Sequence, residues 1–560
     1  MLPQWQLLNN FCVCLIILLL SQIRPLMLKR FLNLVILCCG ILITFNCANR
    51  GTPSGGEKDI QAPIITKTEP ENFSTNFTSK EIRIYFDEFI KIKNLQKNLI
   101  ISPPMDPAPE VTPLGSASKY ISIKIHDTLQ PNTTYAFNFG ESIVDNNEEN
   151  AYQFYRYVFS TGDYIDSLKV SGSIKDAYEF KADEFVSVML YEVDSTFTDS
   201  IIYKKKPKYI TSTLDSITTF QLENLKDGKY LMVALKDKNS NYIYEPKSDK
   251  IGFVDNFITV PSDSSYTINL FKEELDFKVT RPSLVSGQKI QFGYEGSHEE
   301  VRLNLLNKPS NLNHKITKDP ETDSLYFWYK PKLDSDSLLF EVSKRSYVDT
   351  FTVKINDQLN DSLLMKPLQT GAMLFTENFE LEANIPIIDF DKTKVSFIDK
   401  DSLDVNYQVD FASLENKYTF TFDKSENNIY RFKMFPGAFT DFFGNVNDTL
   451  QYNLQTREYS DYGNLRLTLQ NAIYPVIVQL VSVQGKVIAE KISEQQEILD
   501  YRHLSPGDYY IRVIFDANKN GKYDPGNYLL KRQSERVSYY NELQEIRSNF
   551  DYIINFELLD

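Results

Sequence analysis

The chain has 560 residues and a formal net charge of −15, with 75 acidic against 60 basic side chains. An acidic surface repels phosphate backbones, so this composition argues against nucleic-acid binding and is compatible with cation binding. The length is enough for about three to five domains, and the 34 Tyr and 38 Phe residues favour β-sheets over helices.

The N-terminal segment has the layout of a signal peptide. Lys29 and Arg30 precede an apolar run, 31–45, which is too short to span a bilayer comfortably and ends just before Cys47. We expect residues 1–46 to be the signal region. An earlier apolar stretch, 11–20, lies upstream, but a complete signal peptide begins at Met27, which is therefore the expected true start. A two-pass membrane hairpin is the alternative.

Cys47 is the expected lipidation site. Thr44, Phe45 and Asn46 match the usual residues before such a cysteine only loosely, so ordinary cleavage that leaves a free thiol is the alternative. No cysteine follows Cys47, which excludes a disulfide framework and fits a single acylated thiol. We therefore expect an outer-membrane lipoprotein of the cell envelope, facing the periplasm or the exterior.

The rest of the chain is predicted to be a string of β-sandwich modules. A segment rich in Gly and Ser, 47–61, predicts a flexible tether. Beyond it, short runs with alternating apolar residues, such as Ile82, Ile84 and Phe86, are typical of strands with one buried face. The expected modules are 62–162, 165–270, 275–357, 362–457 and 461–560.

An internal repeat supports this division. An offset of 279 relates two 22-residue segments, and a fainter offset of 295 relates the modules that precede them. The first offset pairs Leu225 with Leu504, Gly228 with Gly507, Tyr230 with Tyr509, Asp237 with Asp516, Asn239 with Asn518 and Asn241 with Asn520. The second pairs Tyr135 with Tyr430, Tyr157 with Tyr452 and Thr161 with Thr456. The chain is therefore interpreted as a duplicated two-module unit with residues 275–357 between the copies.

Several motifs resemble those of a group of Gram-negative lipoproteins whose first module is a bacterial Ig-like domain of the S-layer type. The motifs are Cys47–Gly56, Phe86–Phe89, Leu99–Pro104, Pro131–Tyr135 and Phe159–Gly162. The second module, with Val170–Gly172 and Leu225–Tyr230, looks like a transthyretin-like or collagen-adhesin B-type sandwich. The resemblance implies an all-β fold of tandem Ig-like and transthyretin-like sandwiches. It also implies a structural or binding role, since most of these proteins have no assigned biochemical activity.

One loop has the spacing of a calcium site. Asp516, Asn518, Asn520 and Asp524 provide oxygen atoms at loop positions 1, 3, 5 and 9, with Gly521 at position 6. Position 12 carries an Asn in place of the bidentate Glu of an EF-hand, so modest affinity is expected. A hairpin turn that uses the same residue types is the alternative.

The repeat supplies a second loop of this kind with a weaker signal. Asp237, Asn239, Asn241 and Glu245 occupy the corresponding positions, but Tyr242 replaces the glycine. A side chain disfavours the backbone bend at that position, so a turn is the favoured reading there and calcium the weaker one.

No catalytic residues are predicted. The histidines His126, His298, His314 and His503 have no motif neighbours, and no nucleophile elbow, zinc helix or phosphate-binding loop is found. Asp87–Glu88 and the acidic run 145–149 are interpreted as strand-end and loop carboxylates. The leading hypothesis is a non-catalytic binding, scaffold or adhesion protein with an envelope protein or glycan as partner. The alternative is an envelope enzyme acting on glycans or peptides with carboxylates in 275–457. A purely structural spacer is a third possibility.

Overall fold

The computed structural model describes residues 58–558 except 215–216, 308–310 and 334. The signal region, Cys47 and most of the predicted tether lie outside the described residues. Helices in the described ranges are short: α1 (Leu95–Asn98) and the 3-10 helices Asp199–Tyr203, Lys392–Lys394 and Tyr459–Asp461. Strands make up most of the regular structure, which confirms the predicted all-β fold class.

The first sandwich packs the sheet β1-β2-β5-β4, in which β7 also lies beside β2, against the sheet β3-β6-β8. Its strands are β1 (Ile65–Glu69), β2 (Glu81–Ile92), β3 (Ile100–Ser102), β4 (Glu110–Thr112), β5 (Ser118–Lys124), β6 (Thr134–Asn138), β7 (Ile143–Asp145) and β8 (Arg156–Ser160). Ile82, Ile84 and Phe86 are buried in the core, as their alternation predicts.

The second sandwich packs β11-β10-β13-β14, with β15 beside β13, against β12-β9-β16. Its strands are β9 (Leu168–Asp176), β10 (Ser187–Glu192), β11 (Tyr209–Ser212), β12 (Thr219–Leu225), β13 (Gly228–Lys236), β14 (Lys250–Phe253), β15 (Ile258–Val260) and β16 (Ser265–Leu270). β16 runs parallel to β9. Lys250 forms ion pairs with Asp176 and Asp183, at 2.6 and 2.8 Å.

The third sandwich packs β17-β19-β22-β21, with β18 beside β19, against β20-β23-β24. Its strands are β17 (Lys278–Val279), β18 (Ser283–Ser286), β19 (Lys289–Glu295), β20 (Arg302–Leu305), β21 (Asn313–Lys318), β22 (Ser324–Lys330), β23 (Ser337–Lys344) and β24 (Tyr347–Lys354).

The fourth sandwich contains the sheets β25-β27-β31-β30, β26-β34-β32-β29 and β28-β33. Its strands are β25 (Met365–Pro367), β26 (Gly371–Ala372), β27 (Phe379–Ala383), β28 (Ile387–Phe390), β29 (Val395–Ile398), β30 (Tyr407–Ala412), β31 (Lys417–Phe422), β32 (Ile429–Met434), β33 (Phe439–Asp441) and β34 (Leu450–Gln455). Phe379, Phe397, Phe420 and Phe432 form an edge-to-face aromatic cluster in its core.

The fifth sandwich packs β37-β36-β39-β40, with β41 beside β39, against β38-β35-β42. Its strands are β35 (Gly463–Gln470), β36 (Val476–Ser482), β37 (Val487–Ser493), β38 (Ile498–Leu504), β39 (Gly507–Phe515), β40 (Val537–Tyr539), β41 (Gln544–Ile546) and β42 (Asp551–Glu557). Its strand order is that of the second sandwich, including a parallel final strand, β42 beside β35.

The first and fourth sandwiches share side-chain hydrogen bonds at positions that the offset of 295 relates. The Tyr135 hydroxyl accepts the backbone N–H of Gln130, and the Tyr430 hydroxyl accepts that of Ser425. The Thr161 hydroxyl accepts the backbone N–H of Thr133, and the Thr456 hydroxyl accepts that of Asn428. These shared contacts agree with the sequence offset of 295, so the repeat relates structure as well as sequence.

The fifth sandwich also packs against the second. A string of modules that touch only their neighbours in sequence would not contain this contact. The Arg512 side chain is fully buried. It stacks on the Tyr178 ring at 3.8 Å and donates hydrogen bonds to the Tyr178 hydroxyl and carbonyl. Tyr528 of the fifth sandwich inserts among apolar residues on the outer side of the second, including Phe253 and Phe271. From Ala62 onward the chain is accordingly one compact unit.

Candidate functional site

The loop after β39 brings the predicted calcium residues together. Asp516 is almost fully buried, and its carboxylate accepts the backbone N–H groups of Asn520 and Gly521 at 3.0 and 2.8 Å. The side-chain amides of Asn518 and Asn520 both donate to the Asp524 carboxylate. All four residues predicted from the spacing therefore take part in the hydrogen bonds of one loop.

Glu535 belongs to this loop, and sequence spacing missed it. Its two carboxylate oxygens accept the backbone N–H groups of Ala517 and Asp524, at 2.8 and 3.1 Å. EF-hand spacing would place the closing carboxylate at position 12, which is Asn527 in this chain. The structure instead supplies a carboxylate from farther along the chain, where no fixed spacing would have revealed it.

The loop after β13 has the same arrangement. Asn239 and Asn241 donate from their side-chain amides to Glu245, as Asn518 and Asn520 do to Asp524. Asp249 is fully buried and accepts the backbone N–H groups of Lys238 and Glu245, as Glu535 does for its loop. Asp249 is thus a second residue that the spacing did not identify.

Tyr242 adopts the glycine-like bend that a side chain was expected to disfavour. Tyr242 has φ 62° and Gly521 has φ 76°, so both loops turn through the left-handed region at this position. The Tyr242 N–H donates to Asp237 at 2.7 Å, just as the Gly521 N–H donates to Asp516. This hydrogen bond, together with partial burial of Tyr242, stabilises a conformation that a side chain normally disfavours.

One carboxylate in each loop has a raised pKa. Burial raises the pKa of Asp237, and nearby Asp249 adds to the effect. Burial likewise raises the pKa of Glu535, with further contributions from Asp524 and Asp516. A divalent cation bound among these oxygens would oppose both effects.

The side chains of the two loops offer the oxygen atoms that Ca²⁺ needs, but the asparagine amides are not oriented to coordinate it. Oxygen ligands are those that Ca²⁺ prefers. The amide nitrogens of Asn518 and Asn520, rather than their oxygens, face Asp524, so each amide must rotate to coordinate a cation. Among the described residues, no group of three or more His, Cys, Asp or Glu side chains is arranged to hold a metal ion. Asn and backbone oxygens would have to complete either site.

A separate cavity of about 530 Å³ lies where the second, third and fifth sandwiches meet. Its acidic lining residues are Glu273, Glu274, Asp276, Glu295 and Asp349. Glu273 accepts hydrogen bonds from the Tyr244 hydroxyl and the Tyr528 N–H, so its oxygens are already engaged. Lys247, at 2.7 Å, lowers the pKa of Glu295.

That lowered pKa bears on the enzyme alternative. A glycosidase general acid needs a raised pKa so that it carries a proton near neutral pH. The shift at Glu295 has the opposite direction. Glu295 therefore lacks the raised pKa that a catalytic acid needs.

The remaining candidate residues are dispersed. Asp145 is buried and accepts four backbone N–H groups from residues 147–150, which makes it a loop-forming carboxylate as expected. His314 stacks on Phe327, and His503 lies at the junction of the fourth and fifth sandwiches. In the described part of the chain, no helix is long and apolar enough to cross a membrane.

One segment of the chain matches a known protein family. Residues 59–161 match the family model of a bacterial Ig-like domain, which confirms the prediction for the first sandwich. No curated protein matches the chain.

Solved structures with partial similarity include domains 1–6 of the surface-layer protein SbsC, at 11% identity over 87% of this chain and 67% of that one, with a TM-score of 0.16. The Bacillus anthracis TIE protein is 10% identical over 90% of this chain and 75% of its own, with a TM-score of 0.13. A chimeric titin Z1Z2 is 10% identical over 33% of this chain and 97% of its own, with a TM-score of 0.16. At such scores the similarity carries no conclusion about function.

Proposed function

We propose that this chain is a non-catalytic cell-envelope protein, anchored to the outer membrane by acyl chains on Cys47, that presents a fixed set of β-sandwich surfaces to an envelope protein or glycan. The second and fifth sandwiches, with their shared strand order, would be its transthyretin-like modules. The observation that carries the proposal is the docking of the fifth sandwich on the second through Arg512 and Tyr528. A scaffold needs modules held in fixed positions, and independent modules on flexible linkers would not meet this need.

The anchor is tested by replacing Cys47 with serine. We expect the variant to move from the detergent-extracted membrane fraction to the soluble envelope fraction, because it lacks the acceptor thiol and hence the acyl chains. Cys38→Ser is the matched control, since Cys38 lies inside the apolar run and is not the predicted acceptor.

The measurement is fractionation combined with mass analysis of the N-terminal peptide. An acylated peptide that begins at Cys47 supports the proposal, and pull-down from intact envelopes then identifies the partner. A Cys47→Ser protein that stays in the membrane fraction as firmly as Cys38→Ser would contradict it.

The enzyme alternative has one observation in its favour, the acid-lined cavity that includes Glu295 and Asp349 of the 275–457 region. Its action on glycans or peptides would require a carboxyl group with a raised pKa beside a bound substrate. The lowered pKa of Glu295 speaks against this role for that residue.

We further propose that the two loops bind Ca²⁺, the loop after β39 through Asp516, Asn518, Asn520 and Asp524 together with backbone oxygens. The shared arrangement of the two loops is the supporting observation. For a site at ten times its Kd, calcium is expected to stabilise the protein by about 1.4 kcal/mol, since it binds the folded loop only. Extracellular sites of this kind have millimolar affinity, so about 10 mM calcium is needed.

The test is thermal unfolding with calcium and with a chelator. Asp524→Ala is expected to lose much of the calcium-dependent gain, because it removes the carboxylate that both amides contact. Asp508→Ala is the control, with the same change of charge on an exposed position of β39. Equal unfolding temperatures with calcium and chelator in the unmodified protein would refute the proposal.

A further inference from the structure

The loop after β39 contains the dipeptide Asn520–Gly521, the only Asn-Gly pair in the chain. Asparagine followed by glycine favours spontaneous deamidation, because glycine has no side chain to hinder attack by its own backbone nitrogen. Asn520 is solvent-exposed and Gly521 is partly exposed, so water reaches both residues. The sequence and the exposure therefore mark Asn520 as a candidate modification site.

Deamidation replaces the side-chain amide by a carboxylate in two steps. The backbone nitrogen of Gly521 attacks Cγ of Asn520 and forms a new C–N bond. The bond from Cγ to the side-chain nitrogen breaks, and that nitrogen leaves as ammonia with the proton that the Gly521 nitrogen gives up. Water then opens the cyclic imide at either carbonyl and gives aspartate or isoaspartate. Each product molecule thus records that its loop has allowed the attack.

The closed loop holds both the attacking atom and its target. The Gly521 N–H donates to the buried Asp516 carboxylate at 2.8 Å. The Asn520 side chain donates from its amide to Asp524 at 2.7 Å and accepts the Lys522 N–H at 2.9 Å. The attack consumes the N–H of Gly521 and reorients the Asn520 side chain, so these hydrogen bonds must break first.

The residues that follow Gly521 attach the loop to two other sandwiches. The Tyr523 ring lies 4.5 Å from the Tyr178 ring of the second sandwich, centroid to centroid. Lys522 forms an ion pair with Glu299 of the third sandwich at 3.0 Å, and both of these side chains are exposed. Because an exposed ion pair contributes little, the aromatic contact is the stronger restraint on the loop.

We propose that Asn520 is a site of spontaneous deamidation, and that the contact of Tyr523 with Tyr178 suppresses the reaction by keeping the loop closed. Loosening of the fifth sandwich from the second would open the loop and let the Gly521 nitrogen reach the Asn520 side chain. The product carries an added negative charge among the loop carboxylates, which favours the open loop. This inference depends neither on calcium binding nor on the envelope function.

The loop after β13 provides an internal control. The Asn241 amide donates to Glu245 at 3.3 Å, and its side-chain oxygen accepts the Ile243 N–H at 2.8 Å, so Asn241 is held as Asn520 is. Tyr242 follows Asn241, and its side chain hinders attack by the backbone nitrogen. We therefore expect Asn241 to deamidate more slowly than Asn520 once the hydrogen bonds of both loops are removed.

The first test compares the mature chain in buffer and in denaturant, with a chelator present so that calcium plays no part. Mass analysis of the peptides follows the replacement of amide by carboxylate at Asn520 and Asn241. In denaturant, Asn520 should react faster than Asn241. Folding should slow the reaction of Asn520 by at least about tenfold, because the hydrogen bonds of the closed loop must break first. Asn520 reacting no faster than Asn241 in denaturant, or equally fast in the folded and the unfolded chain, would overturn the proposal.

The second test removes a ring of the second sandwich and leaves the sequence of the loop unchanged. Tyr178→Ala is expected to speed the reaction of Asn520 severalfold in the folded chain, because Tyr523 loses its contact. Tyr164→Ala is the control, since Tyr164 is 57% exposed, and it should react at the rate of the unmodified chain. Circular dichroism verifies that both variants are folded. A rate in Tyr178→Ala equal to that in Tyr164→Ala would overturn the proposal.

Discussion

Arg512→Ala is expected to lower the free energy of unfolding of the fifth sandwich by about 3–5 kcal/mol. The guanidinium is fully buried and donates to the Gln479 side chain at 2.7 Å, the Tyr178 hydroxyl at 2.8 Å and the Tyr539 hydroxyl at 3.1 Å. Truncation removes the charge and leaves these buried or half-buried oxygens without their donor. It also leaves a cavity against the Tyr178 ring.

The matched control is Arg466→Ala in the same sandwich. Arg466 makes two hydrogen bonds to Asp500, at 2.7 and 2.9 Å, but the Arg466 side chain is 51% exposed and that of Asp500 33% exposed. Such a pair contributes about 0–1 kcal/mol. Denaturant unfolding of both variants gives the comparison. If Arg512→Ala lowers the free energy of unfolding by no more than Arg466→Ala does, the buried arginine does not hold the two sandwiches together.

Trp328→Ala is expected to lower the free energy of unfolding by about 3–5 kcal/mol, the usual range for truncation of a large buried aromatic side chain. Trp328 is 1% exposed and packs with Ile385 and Phe442 of the fourth sandwich. Its indole N–H donates to the Thr317 hydroxyl at 2.9 Å. The loss therefore affects the junction of the third and fourth sandwiches as well as the third core.

The control for this variant is Phe435→Ala, whose ring is 42% exposed. Exposed positions usually change stability by about 0.5 kcal/mol or less. Trp328→Ala leaves the mature chain without tryptophan, because the other tryptophan lies in the predicted signal region. The unfolding of both variants is therefore followed by circular dichroism. If Trp328→Ala lowers the free energy of unfolding by as little as Phe435→Ala does, the junction does not depend on the Trp328 ring.

Local patterns in the sequence predicted the local features of the fold. Ile82, Ile84 and Phe86 alternate along β2, and they are buried because strand side chains alternate between faces. The loop residues Asp516 to Asp524 were predicted from spacing, since their contacts lie within nine positions of one another. The topological match of the second and fifth sandwiches follows from the repeat at an offset of 279.

Contacts between distant segments were not predictable in this way. Arg512 and Tyr178 are 334 positions apart, and an arginine within a strand ordinarily faces solvent. Glu535 reaches its loop from a separate segment, so no fixed spacing marks it. Tyr242 adopts a positive φ because the surrounding contacts outweigh its local preference, which propensity alone does not reveal.

Docking of the fifth sandwich on the second is tested most directly by a distance measurement between them. Spin labels on cysteines introduced at the exposed positions Ser195 and Asn541 report this distance, because the mature chain has no cysteine after Cys47. With Cys47 acylated or replaced by serine, we expect one narrow distance distribution, which Arg512→Ala broadens. A broad distribution in the otherwise unmodified chain would show that the two sandwiches move independently and would contradict the proposed scaffold.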